Sequence, residues 1–526
     1  MTTTWRALAA FLFILFLVTL GALAMQQQGG PPHGDFDLPG NEPATLFLPG
    51  APGPIFTALT IQPKAIGERP PGIVLVHGYS GDRVGMSRLA RRMAQNGYAV
   101  LTIDLHGHGQ NRNPFANSFA GQPEPLREDV KNAVDYLRNS QLVNPARIMV
   151  AGHSMGAGAA LDYAEQDAGL AGSVMISGGF ALWGQNPRNA LFIFAEHDPP
   201  FIPMLSRQIA AKLAQVDELE EGRLYGDFAK GSAVKAVNVA GVDHVGIISS
   251  PKAARTIIEW LDSASGMKRN GELNLSDPRQ ATTRIALLLF VVLLVPFGRL
   301  VAGLAPAWPR REGAGGWAGL GIATIALLAA VPMIATALPA QFLSIEVVRE
   351  LFSWLLVAGI LMTLWLVLRH SIDWALMREG IFATLFTAML AAALIYIAWQ
   401  PMSVTMHNLS FTPERLLGAA FSMLVVLPFF MAFELLVRRG SVLRSTTAGV
   451  IGRLIVVALV FVLAINGALP FVVSLFATPL GITFVMLEIF AAAVYSASAN
   501  LVLIALVESA WLAWIFAASM PVRIFI

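Results

Sequence analysis

The stretch best able to do chemistry is the pentapeptide Gly152–Gly156, which fits the pattern G-x-S-x-G with Ser154 at its centre. The five residues before it form an apolar, β-prone run, and residues 157–164 are rich in Ala and Leu, which predicts a helix. A sharp turn between such a strand and helix exposes the serine hydroxyl as a nucleophile. Glycine at positions 152 and 156 lets the strand and the helix approach each other closely.

A nucleophilic serine needs a base and an acid, and the chain supplies candidates in the order Ser, Asp, His. Asp198 closes the strand-like segment 191–195, where a side chain at the carboxyl end of a parallel strand points into the crevice of the sheet. His244 follows another strand-like segment, which ends near residue 239. Glu196 and Asp243 are rival acids, but each lies one or two positions away from the expected place.

Two further turns carry recognisable patterns. Residues 76–81 read Val-His-Gly-Tyr-Ser-Gly after a strand-like run, and residues 104–109 read Asp-Leu-His-Gly-His-Gly. The first resembles the H-G-x-x-G oxyanion loop of the α/β-hydrolase superfamily. The second resembles that superfamily's D-x-R-G-H-G turn, with His106 where Arg is usual. The resemblance covers residues 55–265. Within the superfamily, this segment is similar to dienelactone-hydrolase-like and serine esterase members.

The resemblance implies a role for each matched position. Ser154 would be the nucleophile, His244 the general base and Asp198 the group that orients the imidazole. The backbone N–H groups of Tyr79 and Met155 would form the oxyanion hole. The motif glycines are Gly78, Gly81, Gly152 and Gly156. The implied reaction is attack on an ester-like carbonyl, formation of an acyl-serine and hydrolysis by water.

Other interpretations of the same residues stay open. Ser154 would be only a turn residue if the hydrolase fold were inactive, as in a transport or assembly protein. The acyl group could also pass to an acceptor other than water, or the substrate could be a peptide. Four other histidines are interpreted as hydrogen-bonding groups in turns, so neither a metal nor another cofactor is expected. These histidines are His77, His106, His108 and His153.

Strand and helix signals alternate from residue 73 to residue 261, which predicts a mostly parallel sheet with helices on both faces. The connection between the strand-like runs ending at residue 176 and beginning at residue 191 is short, which predicts no helical lid. The expected fold class is an α/β-hydrolase domain joined to an all-α polytopic transmembrane domain.

Composition supports this division. The 526 residues are 55% hydrophobic and only 13% charged, whereas ordinary soluble domains carry about 25% charged residues. A net charge of +2 gives no reason to expect a nucleic-acid partner, so the expected partners are an ester or lipid-like substrate and membrane lipids. The absence of cysteine excludes disulfides, zinc–thiolate sites and a cysteine nucleophile.

The predicted organisation has five parts. Residues 1–25 hold an apolar run that suits either a retained anchor or a signal peptide, because Ala22-Leu23-Ala24 fits a cleavage pattern. Residues 26–54 are rich in Pro and Gly and predict an irregular linker. The hydrolase domain follows at 55–265 and a second linker at 266–282. Residues 283–526 form a succession of apolar runs, which predicts about seven or eight membrane helices.

Charges between these runs predict their orientation. Basic residues occur in every second loop, which the positive-inside rule assigns to the cytoplasm. They are Arg310 and Arg311, then Arg369, His370 and Arg378, then Arg438, Arg439, Arg444 and Arg453. The hydrolase domain would therefore lie outside the cytoplasm, on a bacterial cytoplasmic membrane.

Three carboxylates fall within or near the apolar runs, where an ionisable side chain is costly. Glu434 is interpreted as reaching the membrane interface beside Arg438 and Arg439. Glu488 and Glu508 are more central, and they predict either pairing with polar groups between helices or a role in transport.

Overall fold

The structure is a computed structural model that describes residues 3–50, 69–115, 124–179, 181–182, 184, 186–310, 315–334 and 345–523. The chain forms two compact units. One comprises residues 22–282 with 403–408, and the other comprises 1–21, 283–402 and 409–526. The predicted start of the hydrolase domain at residue 55, and Arg311, lie outside the described residues.

The first unit is built on an eight-stranded sheet with strand order β1-β2-β4-β3-β5-β6-β7-β8. The strands are β1 His33–Asp37, β2 Pro43–Phe47, β3 Gly72–Val76, β4 Ala99–Ile103, β5 Ile148–His153, β6 Gly172–Ile176, β7 Ala190–His197 and β8 Val234–Asp243. Strands β3 to β8 pair in parallel, and β1 and β2 add an antiparallel edge. The predicted fold class is confirmed.

The prediction of an irregular linker over residues 26–54 is wrong for β1 and β2. Strand β2 is buried along its whole length and pairs with β4, with Ala44 opposite Ile103. Pro39 and Gly40 belong instead to the hairpin turn at residues 38–42. There Leu38 N–H donates to the Glu42 carbonyl over 3.0 Å, and Asn41 has a φ of 63°. Turn residues within a hairpin were therefore mistaken for a linker.

Helices cover both faces of the sheet. They are α2 Ser87–Gln95, α3 Glu124–Asn139, α4 Met155–Ala164, α5 Phe201–Ala214 and α6 Pro251–Ser265. In β3, Ile73 and Leu75 pack in one core with α2 and α6, whereas Val74 and Val76 pack in the opposite core with α3 and α4. Because both faces of the strand are buried, its sequence is continuously apolar rather than alternating.

The second unit is helical. Its helices are α7 Arg279–Ala302, α8 Gly315–Ala330, α9 Val348–Leu368, α10 Trp374–Arg378, α11 Ile381–Ser403, α12 Pro413–Val437, α13 Val442–Ile465, α14 Ala477–Ala497 and α15 Leu501–Ser519, and most of α1 Thr3–Gln28 also belongs to it. In the described parts of the chain, nine helices are long and apolar enough to cross a membrane, which indicates an integral membrane protein.

Two predictions about charges in this unit are wrong. Arg444 and Arg453 are not in a loop but within α13, and the side chain of Arg453 is buried. Glu434 and Arg438 are also buried, so Glu434 does not reach a membrane interface. In both cases the sequence showed a charge near the end of an apolar run, but ion pairs with neighbouring helices, described below, keep these side chains inside the bundle.

Candidate active site

Ser154 lies at the turn between β5 and α4, with φ 53° and ψ −117°. A non-glycine residue held in such a conformation costs on the order of 1–3 kcal/mol, a strain typical of functional turns. The flanking glycines make the turn possible. A Cβ at Gly152 would lie 2.1 Å from the Gly156 carbonyl oxygen, and one at Gly156 would lie 2.2 Å from the His77 carbonyl oxygen.

The three residues predicted to cooperate lie in one hydrogen-bonded line. His244 Nε2 is 3.1 Å from Ser154 Oγ, and His244 Nδ1 is 2.6 Å from Asp198 Oδ1. Asp198 follows β7 and His244 follows β8, so neighbouring parallel strands present both side chains at the same edge of the sheet. Both are more than nine-tenths buried, whereas Ser154 is partly exposed.

The rival acids bind elsewhere. The Glu196 carboxylate accepts the Gly241 N–H over 2.6 Å, and the Asp243 carboxylate accepts the Gly246 N–H over 2.6 Å. The structure therefore brings Asp198 to the imidazole, as the sequence order predicted.

Ser177 also contacts Asp198, and this contact was not predicted from the sequence. Its hydroxyl donates to Asp198 Oδ2 over 2.7 Å, and the Ala195 N–H donates to the same oxygen over 2.8 Å. Ser177 follows β6, the strand beside β7, and has a φ of 47°. A polar residue directly after that strand was the available signal. These two donors leave Asp198 Oδ1 to the imidazole and fix the orientation of the carboxylate.

His153 supports His244, the imidazole that lies between Ser154 and Asp198. Its Nε2–H donates to the His244 carbonyl over 2.8 Å, and the two ring centroids are 4.8 Å apart. Burial, helped by the nearby His244, lowers the pKa of His153 to about 3. A neutral His153 therefore holds the backbone of His244 without placing a second positive charge beside it.

The loop at residues 77–81 passes directly over Ser154. A Cβ at Gly78 would lie 3.0 Å from Ser154 Cβ, and the Gly81 N–H closes the turn on the Gly78 carbonyl over 2.9 Å. His77 Nδ1–H donates to the Gly78 carbonyl over 2.7 Å, and its Nε2 accepts the Leu105 N–H over 3.0 Å. Tyr79, one of the two predicted oxyanion donors, comes directly after Gly78 in this loop, and Met155, the other, is the first residue of α4.

The turn at residues 104–109 is tied to the same loop. Asp104 accepts the Arg83 N–H over 2.7 Å and the Gln110 N–H over 2.9 Å, and it pairs with the Arg83 guanidinium. In the second half of this turn, His106 Nδ1 lies 2.6 Å from Asp129 Oδ1. His108 Nδ1–H donates to the His106 carbonyl over 2.8 Å.

Asp82, directly after the loop 77–81, contacts a segment that is distant in the sequence. Its carboxylate accepts the Gly85 N–H over 2.8 Å, the Asn408 N–H over 2.6 Å and lies 2.5 Å from His407 Nδ1. Burial alone would raise the pKa of Asp82, but the charge and hydrogen bonds of His407 and the Gly85 N–H outweigh it and lower that pKa. Because the two residues are 325 positions apart, nothing in the sequence pattern indicated this contact.

The histidines and carboxylates of the described segments do not form a cluster suited to a metal ion. The site consists instead of a serine, an imidazole and a carboxylate, with the loop 77–81 above the serine. This arrangement can activate a hydroxyl group for attack on a carbonyl.

Part of this chain is similar to known proteins. A family model described as serine aminopeptidase matches residues 68–246. Cutinase 2 of Thermobifida cellulosilytica is 27% identical over 111 residues, which cover 20% of this chain and 38% of the cutinase. The quorum-quenching protein AidA of Acinetobacter baumannii is 33% identical over 108 residues, which cover 19% of this chain and 33% of that protein. The chain thus spans about a third of the length of these relatives.

Among solved structures, an esterase of Pyrobaculum calidifontis is 17% identical, with a TM-score of 0.33, and covers 51% of this chain and 99% of its own. The matched segment contains the sheet from β3 to β8, the serine turn, Asp198 and His244. The sheet unit thus has an α/β-hydrolase-like fold whose residues 68–246 match the serine aminopeptidase family model, and it is joined in one chain to helices long enough to span a membrane.

Proposed function

We propose that the protein is a membrane-bound serine hydrolase that cleaves an ester through an acyl-enzyme on Ser154. The observation that carries this proposal is the line of contacts from Ser154 Oγ to His244 Nε2, and from His244 Nδ1 to Asp198. In such a line the imidazole accepts the hydroxyl proton while the serine oxygen attacks, and the buried carboxylate stabilises the imidazolium that forms.

The steps follow from these positions. Ser154 Oγ bonds to the carbonyl carbon as its proton moves to His244 Nε2, and the carbonyl oxygen gains negative charge between the Met155 and Tyr79 N–H groups. The C–O bond to the alcohol then breaks, and His244 returns the proton to the leaving oxygen. Water attacks the acyl-serine by the same route, which releases the acid and restores Ser154.

An ester is favoured as the substrate because the similar proteins include cutinases and an esterase. A peptide is the second candidate because the matching family model is described as serine aminopeptidase. The same three residues would serve both reactions, since amide hydrolysis uses the same acyl-serine. The two candidates differ only in the leaving group that His244 must protonate.

The proposed location of the site is the outer side of a bacterial cytoplasmic membrane. Arg310 lies between α7 and α8, and Arg369 and Arg378 lie between α9 and α11, which the positive-inside rule assigns to the cytoplasm. The segment 403–408 between α11 and α12 then falls on the opposite side. That segment belongs to the same compact unit as the sheet, which supports placing the hydrolase domain on that side.

A serine-directed fluorophosphonate probe tests the nucleophile, and a panel of ester, thioester and peptide substrates tests the reaction class. We expect the purified full-length protein to be labelled and to cleave esters fastest, whereas Ser154→Ala abolishes both. Ser263→Ala, at an exposed position of α6, is the matched control and should behave like the unaltered protein. Equal labelling of Ser154→Ala would overturn the proposal, and faster cleavage of peptides would favour the second candidate.

A further inference from the structure

The helical unit contains five charged side chains that are buried together. Glu434 and Arg438 come from α12, Arg453 from α13, Glu488 from α14 and Glu508 from α15. No member is more than 4% exposed at its side chain. Ionisable groups are rare and costly at such positions, so a cluster of five calls for a chemical explanation. We call these residues the five-charge cluster.

The two arginines connect the cluster. Arg438 Nε donates to Glu434 over 2.6 Å, and its two Nη atoms donate to the two oxygens of Glu488 over 2.6 and 2.8 Å. Arg453 Nη2 donates to Glu434 over 3.0 Å. Arg453 also pairs with Glu488 and with Glu508. Four helices are thereby joined through hydrogen-bonded ion pairs.

The charges of this cluster do not balance. Three carboxylates face two guanidinium groups, so the fully ionised cluster has a net charge of −1 inside an apolar bundle. A guanidinium does not lose its proton in a protein, and an unpaired buried charge is strongly disfavoured. Tyr495 lies beside Glu434 and Arg438, but its hydroxyl donates to the Gly440 carbonyl over 3.2 Å and supplies no positive charge. The surplus negative charge therefore requires a bound positive charge.

The hydrogen bonds identify the carboxyl that takes up this charge. Glu488 accepts three hydrogen bonds from the arginines and Glu434 accepts two, whereas Glu508 accepts one, from Arg453 Nη2 to Oε1. Within the described parts of the chain, Glu508 Oε2 is buried and has no hydrogen-bond partner. We propose that the five-charge cluster is a proton-binding site, and that Glu508 is the carboxyl that takes up and releases the proton.

A cavity beside the cluster provides room for exchange. It has a volume of about 370 Å³, is lined by side chains of α7, α13 and α14, and reaches Arg453 and Glu488. Gly449 makes the pairing with Glu488 possible, because a Cβ there would lie 2.4 Å from Glu488 Oε2. Arg453, which pairs with Glu508, lines this cavity, so the cavity lies beside the proposed proton site.

Infrared spectroscopy tests the proposal on the full-length protein, because a protonated carboxyl has a C=O stretching band that an ionised carboxylate lacks. We expect the unaltered protein to show a band that disappears as the pH rises and reappears on return to the starting pH. Glu508→Gln should remove one protonated carboxyl per molecule, whereas Glu508→Asp should shift the band. Glu379→Gln, at an exposed position of the same unit, is the control and should leave this C=O band unchanged.

Stability supplies the second readout. The unaltered protein should unfold at progressively lower temperature as the pH rises, because loss of the proton leaves a buried net charge. Glu508→Gln, which keeps the cluster neutral without a proton, should remove this dependence. A titrating band that persists in Glu508→Gln would overturn the proposal. So would a folded protein whose stability at high pH depends on added Na⁺ rather than on pH, since the bound charge would then be a metal cation.

Discussion

Asp198 in the sheet unit and the carboxylates of the five-charge cluster in the helical unit are paired with different cationic groups. Asp198 pairs with one imidazole and is held by two neutral donors, Ser177 Oγ and the Ala195 N–H. The carboxylates of the five-charge cluster pair with arginines. An imidazole gains and loses a proton near neutral pH, whereas a guanidinium stays charged. In the first pairing the imidazole therefore changes protonation in every reaction cycle, whereas in the second the arginines stay charged and join helices, so that any change of protonation falls on a carboxyl.

The largest expected effect is on the nucleophile. Ser154→Ala removes the atom that forms the acyl-enzyme, so kcat for ester hydrolysis should fall by about 10⁴-fold or more. The folded structure should be preserved, because alanine retains the Cβ at this turn. Steady-state kinetics with a chromogenic ester and a thermal unfolding curve measure the two quantities. A fall of less than tenfold would mean that the water or another residue attacks directly.

Asp198→Asn should lower kcat by about 10³–10⁴-fold, because the amide cannot stabilise the imidazolium. Glu196→Gln and Asp243→Asn remove the two rival acids and should change kcat by less than threefold. The three variants are compared by kcat at one pH. A greater loss from either rival than from Asp198→Asn would reassign the acid.

Glu488→Gln should lower stability and leave kcat unchanged, the reverse of the effect expected for Ser154→Ala. It replaces a carboxylate that accepts three hydrogen bonds from Arg438 and Arg453 with an amide that has only one acceptor oxygen, and loss of a partner from a buried ion pair costs about 3–5 kcal/mol. The free energy of unfolding should fall by that amount, whereas kcat per folded molecule should remain unchanged. Unfolding in detergent, together with active-site titration, separates the two effects. A loss of kcat without a loss of stability would remove the contrast between the two units.

The smallest expected effect concerns the contact between Asp82 and His407. His407→Ala removes one partner of a buried carboxylate beside the loop 77–81, so kcat should fall about tenfold with little change in KM. His370→Ala, in the loop between α9 and α10, is the matched control and should leave kcat unchanged. An equal effect of the two substitutions would mean that the contact does not support the loop.

The same contact predicts a pH dependence of stability. The lowered pKa of folded Asp82 contributes stability that is present above the pKa of an unfolded aspartate, about 3.9, and is lost as the pH falls below it. Asp82→Asn should therefore lose less stability than the unaltered protein between about pH 4 and pH 2. Chemical unfolding measured across that range checks the slope, and parallel curves for the two proteins would contradict it.

The sequence predicted the parts of the site that follow directly from strands. Ser154, Asp198 and His244 each follow a strand-like run, and their order along the chain agrees with the geometry. Ser177 was within reach of the same reasoning, because it follows β6.

Contacts between distant segments could not be predicted in this way. Neither the pairing of His407 with Asp82 nor the joining of four helices by Arg438 and Arg453 leaves a periodic signal in the sequence. Hydropathy locates a buried charge in an apolar run but does not identify its partner, because the partner depends on how helices pack. The predicted linker failed for a related reason, since Pro and Gly mark a hairpin turn as readily as a linker.

Trapping of the acyl-enzyme tests most directly whether Ser154 is the nucleophile. The full-length protein is mixed with a slowly hydrolysed ester, quenched in acid and digested, and the peptides are weighed by mass spectrometry. The account predicts that the mass of the acyl group appears on the peptide containing Ser154, and that it is absent from Ser154→Ala. An acyl group on a different residue, or ester hydrolysis that proceeds equally well in Ser154→Ala, would contradict the account.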